Sequence, residues 1–479
     1  MTMVQLFFGV ALVLILILFF LRNIAASHLL VFSFMVLLGL LSVDQYQHLS
    51  EYRMDLFDAD SIGVIFLFLL TIISSFAALH YAIYAFRRLQ DKRVIAMHNA
   101  AFVLFVTAIA GAFMSTHIGM LWACLEASTL SGAALIYHDR DKLALEATWK
   151  YLFVSSIGVT LGFAGIMFLS IAANNTPNDI ADLIAVAPDM NVGWTKTSFI
   201  FILAGFSVKM GVVPFFTIDI DAKDSSPSPI GAMFSGPLMS VGFLAIYRFY
   251  QIFAHTSILP WMNHLLLVTG LLSLFFATVF ILKTQNYKRM LAYSSMEHAG
   301  LILIAFSTGL NGYIVAIVHL VLHALAKSGM FFEIGQVHRT FNSKNDTDCG
   351  DYFRLRPMSS AVILTGLLCI IAMPPSGLFM TEFMLFKSLM ISGQWWIVFI
   401  VMFLLCFFVY AMIRNFFTLL FLKNPQAQIA EKVAGWESIP PLLLIVLVIW
   451  FGIASPDILL QLVLQAVQVL PGASTLTYY

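Results

Sequence analysis

The sequence is a succession of apolar segments, each close to the length of a membrane-crossing helix and separated by short polar stretches. A helix needs about 20 apolar residues to cross the hydrocarbon core of a bilayer. Of the 479 residues, 61% are hydrophobic and only 10% are charged, whereas a soluble domain carries about a quarter charged residues. The chain lacks the polar surface of a water-soluble globule, and the sequence predicts an all-α polytopic membrane protein.

About fourteen segments qualify as spans. They lie near residues 4–21, 25–42, 61–86, 97–115, 118–136, 149–172, 197–217, 230–253, 262–282, 290–308, 311–335, 359–391, 395–422 and 440–456. The seventh contains Gly211 and Pro214, and Pro374-Pro375 interrupts the twelfth. Because proline removes a backbone donor, we expect both spans to be broken.

Two broken spans that lie five apart indicate an inverted or tandem repeat of five-helix units, with irregular backbone lining a hydrated site. We expect an N-terminal three-helix segment at 1–96 and repeats at 97–253 and 262–422. A C-terminal helix and tail would occupy 423–479.

Lysine and arginine fall in alternate loops, and such residues stay on the cytoplasmic side during insertion. With the N-terminus outside, the inside loops hold Arg22, Arg87, Arg88, Lys92, Arg93, Arg140, Lys142, Lys223, Lys283, Lys288, Arg289, Arg339, Lys344, Arg354, Arg356, Lys423 and Lys432. The outside loops hold little beyond Arg53 and Lys196. We expect a protein of the inner (cytoplasmic) membrane with cytoplasmic loops at 87–93 and 338–357 and both termini periplasmic. The first apolar run lacks a basic lead-in and a cleavage site, which favours a retained span over a signal peptide.

Several classes of function are disfavoured. Lysine plus arginine and aspartate plus glutamate both number 25, so no basic excess indicates nucleic-acid binding. The four cysteines form no CxxC pair, which makes a thiolate metal site or a disulfide framework improbable. No glycine loop for nucleotides and no flavin, haem or iron–sulfur ligands are visible. We therefore expect no cofactor, no bound metal and no redox site in the chain itself.

Glu126 and Lys209 lie near the middle of the fifth and seventh predicted spans, at similar depth. An ionisable side chain at the bilayer centre costs about 3 kcal/mol, so each needs a reason. Opposite charges at one depth indicate an ion pair. The pair is either a static link between two helices or a proton site, because separating the partners changes how tightly the lysine holds its proton.

The eleventh span carries His319, His323 and Lys327 at i, i+4 and i+8, which places them on one helix face. Three titratable groups in register favour a proton relay over satisfied core histidines. An HxxxH pair can also ligate a metal, but no third ligand at matching depth is evident.

Further ionisable residues accompany these spans. Glu382 follows the proline break and is expected near mid-depth, whereas Lys387 lies nearer the outer end and can snorkel. Glu297, His298 and Glu333 are expected closer to the cytoplasmic face. They serve either proton access or local interfacial bonding.

These residues stand in stretches that together resemble a known family. The stretches are Glu126 with Trp122; 209–214 (KMGVVP); 226–229 (SPSP) leading to Ser235-Gly236; 287–300 (YKRMLAYSSMEHAG); 319–328 (HLVLHALAKS); and 374–377 (PPSG) up to Glu382. Over residues 60–420 the chain resembles the antiporter-like, proton-conducting membrane subunits of respiratory complex I, group 4 membrane-bound hydrogenases and Mrp-type Na+/H+ antiporters. Trp149-Lys150-Tyr151 and Glu297-His298 are most similar to the branch formed by the F-type membrane subunits of hydrogenase-4.

The resemblance implies fourteen helices, two five-helix inverted repeats and a polar axis along the middle of the membrane. It implies that protons move through Glu126, Lys209, His319, His323, Lys327 and Glu382. Within that set, Glu126 would modulate Lys209, and Glu382 would end the outer half.

The sequence departs from the family pattern in two places. Ser240 stands where the eighth helix often carries Lys, His or Asn, and Asp221-Ala222-Lys223 stands where the loop after the seventh helix often carries His. Because serine cannot carry charge, a link between the halves at Ser240 would have to be hydrated. The lateral amphipathic helix of some family members is expected to be absent.

The sequence therefore predicts a proton-translocating subunit of a redox-driven complex of the hydrogenase or complex I type. Its expected partners are other integral membrane subunits, a peripheral redox arm, lipids, and protons with Na+ as an option. The alternative is a subunit of a multi-subunit Na+/H+ antiporter or another ion transporter without redox coupling. A purely structural anchor would require inert buried charges.

Overall fold

The computed structural model describes residues 2–49, 56–87, 91–425 and 427–471. Within these residues the regular structure is helical, and β-structure is limited to isolated bridges. The α-helices are α1 Met3–Phe20, α2 Ile24–Gln47, α3 Ser61–Arg87, α4 Lys92–Met114, α5 Ile118–Ile136, α6 Lys142–Ala172, α7 Ile180–Val186, α8 Val192–Met210, α9 Phe216–Ser225, α10 Ser228–Met233, α11 Met239–Phe253, α12 Leu259–Ile281, α13 Tyr287–Phe306, α14 Leu310–Phe341, α15 Tyr352–Leu355, α16 Pro357–Ile370, α17 Gly377–Ile391, α18 Trp395–Phe421, α19 Ile439–Ile453 and α20 Asp457–Gln468. The prediction of an all-α fold is confirmed.

Eleven helical segments of the described residues are long and apolar enough to cross a membrane. They comprise α1 to α6, the continuous segment from α10 through α11, and α12, α14, α18 and α19. The remaining predicted spans correspond to α8 and α13, whose apolar runs are interrupted by polar and charged residues, and to α16 with α17, which are short. The polytopic membrane fold is confirmed, and the total of fourteen spans stays a prediction.

The seventh and twelfth spans are broken, as the sequence predicts. Helix α8 ends at Met210 because Gly211 adopts a φ of +75°, a conformation that glycine reaches without steric cost. The chain then passes Pro214 before α9 begins. The second break lies between α16 and α17, where the Ser376 hydroxyl accepts a hydrogen bond of 3.2 Å from the Phe379 amide. This N-cap starts the second half-helix after Pro374-Pro375.

The seventh span continues further than the sequence suggests. Helix α9 extends to Ser225, whereas the predicted span ends at residue 217. Lys223 therefore does not lie in an inside loop, as the sequence analysis places it, but in a half-helix, where it is 1% exposed. The polar composition of α9 obscured this, because it carries three aspartates besides the lysine.

Two features near the eighth span were not expected. A π-helical turn at Phe234–Leu238 surrounds Pro237, where the missing amide donor favours an irregular turn. Helix α20 follows the last predicted span and packs against α3. The Tyr247 hydroxyl donates to the Ala466 carbonyl at 2.6 Å, which fastens α20 to α11.

The loops gather at two ends of the helix bundle. At one end, backbone bridges join Phe57 to Ser115 and His117 to Asp179. At the other end, Asn286 pairs with Asn345, in the loops that hold many of the predicted inside lysines and arginines. The arrangement fits the predicted alternation, and the assignment of each end to a side of the membrane stays a prediction. Arg53, Arg88, Met1 and residues 472–479 lie outside the described residues.

Cysteine labelling tests which end faces the cytoplasm. Asn345 and Asp189 are both exposed and lie in loops at opposite ends. We expect Asn345→Cys to resist an impermeant thiol reagent added to intact cells, because its loop is rich in Lys and Arg. Asp189→Cys should react, and a variant without Cys406, the exposed native cysteine, provides the background. Labelling of position 345 from outside would contradict the topology. Position 90, in the other loop predicted to be cytoplasmic, lies outside the described residues.

Candidate functional site

Lys209 lies in the last turn of α8 and is 2% exposed. Its ammonium group donates to the Thr129 hydroxyl at 2.7 Å and to the Tyr151 hydroxyl at 3.4 Å. It also lies 5.4 Å from the centroid of the Tyr151 ring, within cation–π range. The lysine is thus held by neutral groups of α5 and α6.

Glu126 lies one turn before Thr129 on α5. One carboxylate oxygen accepts a hydrogen bond of 2.9 Å from Ser156, and the other is buried with no hydrogen-bond partner among the described residues. Among the described residues, no ion pair with a nitrogen–oxygen distance of 4.0 Å or less joins Lys209 to Glu126. The sequence-based prediction of a direct ion pair between Glu126 and Lys209 is therefore wrong for this structure. The lysine binds Thr129 instead, one turn further along α5 than Glu126.

Three helices meet at a hydrogen-bonded chain of side chains. His298 of α13 lies with Nδ1 at 3.0 Å from Nε2 of His319 on α14. Nδ1 of His319 in turn lies 2.8 Å from the Thr381 hydroxyl on α17. That hydroxyl donates to the Leu378 carbonyl at 3.0 Å, so it accepts from His319. His298 Nδ1 must then carry the proton that it shares with His319 Nε2.

The remaining relay candidates on α14 are fully buried beside this chain. The His323 ring lies 5.0 Å from the His298 ring, and neither of its nitrogens has a hydrogen-bond partner among the described residues. Lys327 donates to the Leu291 carbonyl at 3.2 Å. The i, i+4, i+8 face predicted from the sequence is thus directed into the protein, towards α13.

Two carboxylates flank the histidines. Glu297 Oε2 lies 3.5 Å from Nε2 of His298 and has no hydrogen-bond partner among the described residues. Glu382, on α17 after the break, is 9% exposed. The ligand-type atoms of His298, His319 and Glu382 lie within 4.8 Å of one another. The sequence missed this set because it comes from three helices, and the prediction that no metal is bound stays a prediction.

Asp219 and Lys223 form a buried ion pair that sequence reasoning missed. The Lys223 ammonium lies 2.5 Å from Oδ2 of Asp219, and the side chains are 1% and 7% exposed. The i, i+4 spacing of Asp and Lys was the available signal. It was overlooked because this stretch was interpreted as a loop.

Three predicted candidates lie apart from the histidine chain. Glu333 accepts hydrogen bonds from Ser438 at 2.9 Å and Gln336 at 3.2 Å, and it also contacts Ser359. Lys387 is exposed on α17, as expected for a snorkelling lysine. Ser240 donates at 3.1 Å to the carbonyl of Gly236, one turn earlier in its own helical segment.

A cavity of about 560 Å³ opens at the end of the bundle that carries the lysine-rich loops. The linker from α9 to α10 forms part of its wall, together with His80 and Lys288. The Lys288 ammonium donates to the carbonyl groups of Ser226 at 2.8 Å and Asp224 at 3.2 Å. The cavity therefore reaches the segment that directly follows Lys223.

The fold and this site define a polytopic membrane protein that holds a row of ionisable groups buried among its helices. Residues 115–408 match the family described as NADH:quinone oxidoreductase/Mrp antiporter, TM. The chain belongs to this family, and the resemblance predicted from its motifs is confirmed.

Individual relatives are components of hydrogenase-4 or homologues of such components. The chain is 29% identical over 345 residues to the hydrogenase-4 component F homolog of Methylacidiphilum infernorum, covering 69% of this chain and 72% of that protein. It is 26% identical over 350 residues to hydrogenase-4 component B of Escherichia coli, covering 70% of this chain but 50% of that longer protein. The chain is an antiporter-like membrane subunit of the kind found in hydrogenase-4 and complex I.

Solved structures share the whole fold. A chain of the archaeal membrane-bound sulfane sulfur reductase is similar with a TM-score of 0.87 at 23% identity, and the match covers 98% of both chains. A chain of the Mrp complex from Dietzia sp. is similar with a TM-score of 0.84 at 16% identity, covering 99% of both. Both neighbours come from multi-subunit membrane complexes.

Substitution of Gly211 tests how tightly the break in the seventh span is specified. A Cβ at Gly211 would lie 2.7 Å from Oδ2 of Asp219, whereas Gly393, also at a φ of +75°, has no atom within 4 Å of such a Cβ. Alanine at either position costs about 1–2 kcal/mol for its backbone conformation. We expect Gly211→Ala to lower the unfolding temperature of the purified protein more than Gly393→Ala does. Equal shifts would show that Asp219 does not press against the break.

Proposed function

We propose that this chain is a proton-translocating subunit of a redox-driven membrane complex. The observation that carries the proposal is the hydrogen-bonded chain from His298 through His319 to Thr381, with Lys327 and Glu382 at its two sides. Imidazole can take up a proton on one nitrogen and release another from the second nitrogen. A row of such groups in apolar surroundings is the pattern expected of a proton relay.

The hydrogen-bond directions define how the relay would work. A proton that reaches Nε2 of His298 from Glu297, 3.5 Å away, makes that imidazole cationic. His298 then releases its Nδ1 proton to Nε2 of His319 across the 3.0 Å contact. His319 in turn loses its Nδ1 proton towards Thr381 and the neighbouring Glu382. Each imidazole ends in its other tautomer, so a ring flip or a return of protons must reset the chain.

Lys327 is suited to load this relay. A charged lysine has three donors, yet the ammonium group has one hydrogen bond within the described residues, to Leu291. It acts electrostatically on Glu297, the carboxylate next to His298. Because it is poorly satisfied as a cation in an apolar site, Lys327 can release its proton towards that carboxylate or towards His323.

We place proton uptake at the cavity of about 560 Å³ and release beyond Glu382 on α17. This direction follows the predicted topology, with the lysine-rich loops in the cytoplasm and both termini in the periplasm of a cell with an inner membrane. Electron transfer would belong to a peripheral redox arm, coupled through the other membrane subunits. Lipids would surround the exposed apolar helix faces.

The second candidate is a subunit of a multi-subunit Na+/H+ antiporter. The similarity to the Mrp chain, with a TM-score of 0.84, favours this candidate at the level of the fold. The two functions differ in energy source, because antiport is driven by an ion gradient and needs no electron donor. Proton transport that requires Na+ and persists without redox turnover would select the antiporter.

Substitutions on α14 test the relay. Lys327→Leu and His323→Leu should each lower the rate of proton transport in membrane vesicles by roughly a hundredfold or more, because each removes a titratable group from the route. The complex should still assemble, since leucine fills an apolar site and the buried Glu297 can become neutral by keeping its proton. Lys387→Leu is the matched control, because this lysine is exposed on α17. Undiminished transport in both α14 variants would show that these residues are structural.

Substitutions at Lys209 distinguish a proton site from a static charge. Lys209→Arg keeps the charge, but arginine does not release its proton in proteins. We expect this variant to assemble and not to pump, and Glu126→Gln to weaken pumping while the complex still assembles. A static role predicts the opposite order, with arginine tolerated and Glu126→Gln reducing the yield of the complex. Proton transport and yield, measured on the same membranes, decide between them.

A further inference from the structure

We propose that the Asp219–Lys223 pair on α9 carries protons between Lys209 and the relay on α14, in the place that Ser240 cannot fill. The inference rests on the proposed function and names a route within it. It assigns a proton-carrying role to Asp219 and Lys223, neither of which is predicted from the sequence to carry protons.

The pair lies directly at the break that follows Lys209. Asp219 Oδ2 occupies the space beside Gly211, at 2.7 Å from the position of a Cβ there, so the carboxylate is held against the end of α8. The same oxygen lies 2.5 Å from Nζ of Lys223. A contact between an ammonium group and a carboxylate that are both nearly fully buried is a charge-assisted hydrogen bond.

Tyr151 connects Lys209 to this pair. Its hydroxyl lies 3.4 Å from the Lys209 ammonium, and its helix α6 packs against α9, which carries Asp219. A phenol can accept one proton while it donates another. It can therefore pass a proton from the lysine towards the carboxylate without holding a charge for long.

The helix that carries Lys223 is joined to α14 by two neighbouring helices. Helix α9 packs against α10 and α13, and both of these pack against α14, which carries His323 and Lys327. A Cβ at Gly231 of α10 would lie 3.6 Å from the Lys223 carbonyl and 2.8 Å from the Phe331 ring of α14. Helices α9 and α14 therefore meet the same point of α10, and Phe331 lies one turn beyond Lys327 on α14.

The alternative link through α11 is interrupted. The Ser240 hydroxyl is bonded within its own helical segment, to Gly236 at 3.1 Å. Gly242 presses directly on the backbone at the end of α8, since a Cβ there would overlap the Met210 amide nitrogen. The contact of α11 with Lys209 is thus a backbone contact without a titratable group.

One transfer cycle moves one proton in three steps. Lys223 first gives a proton to His323 or Lys327 and becomes a neutral amine beside the Asp219 carboxylate. Lys209 then gives a proton through Tyr151 to that carboxylate, which becomes a neutral acid. Asp219 passes the proton to Lys223 and restores the ion pair, so that one proton has moved from α8 to α14.

Two substitutions at Lys223 separate this role from a structural ion pair. Lys223→Arg keeps the pair with Asp219 but cannot release a proton, whereas Lys223→His can release one. We expect Lys223→Arg to lose proton transport by roughly a hundredfold or more and Lys223→His to retain transport. A structural pair predicts the reverse order, and that result would overturn the proposal.

Asp219→Glu and Asp219→Asn provide the second comparison. The relay predicts transport in Asp219→Glu and none in Asp219→Asn, and Ser240→Ala should transport like the wild type. If Lys223→Arg does not assemble, Lys223→His decides: transport supports the route, and its loss overturns it.

The same measurements distinguish a failure of the route through α9 from a failure of the proposed proton-translocating function. A wild-type complex that moves no protons would refute the proposed function. A wild-type complex that does, together with an inactive Lys327→Leu and a fully active Asp219→Asn, would refute only the route through α9.

Discussion

The free-energy cost of holding ionisable groups inside a bilayer is the constraint on which the rest of this structure depends. Each such group costs about 3 kcal/mol on insertion scales, and unpaired backbone groups in lipid add several more. The molecule meets this cost by wrapping its charged residues in helices. Lys209, Lys223 and Lys327 are 2%, 1% and 0% exposed, and the broken half-helices that position two of them lie within the protein. The outer faces of α1 and α18 are exposed and apolar.

The buried polar groups fall into two kinds, which differ in how completely they are bonded. Glu333 and Asp224 each have several partners that fix them in place, as expected for groups that join helices and loops. His323 and one oxygen of Glu297 have no hydrogen-bond partner in the described part of the chain. Incomplete bonding in an apolar site costs stability. Such a cost is acceptable where a group must exchange its proton, as the proposed relay requires of His323 and Glu297.

Much of the fold was predictable, because its signals are local. Apolar length predicts the spans, and Gly211 with Pro374-Pro375 predicts the two breaks. The face of α14 follows from spacing alone. The cross-helix contacts were not predictable, since nothing in one segment reveals that Thr129 binds Lys209 or that His298 meets His319. Helix α9 was missed because its aspartates and lysine suggest solvent, whereas the structure pairs Asp219 with Lys223 in the interior.

The central claim is that redox turnover moves protons through this chain. Its most direct test is the purified complex in proteoliposomes, with an internal pH dye and an electron donor and acceptor in Na+-free buffer. The account predicts a change of internal pH that follows electron transfer, collapses with a protonophore, and disappears in a complex carrying Lys327→Leu although electron transfer continues. Electron transfer with no pH change in the wild type, or a pH change that survives in the Lys327 variant, would contradict it.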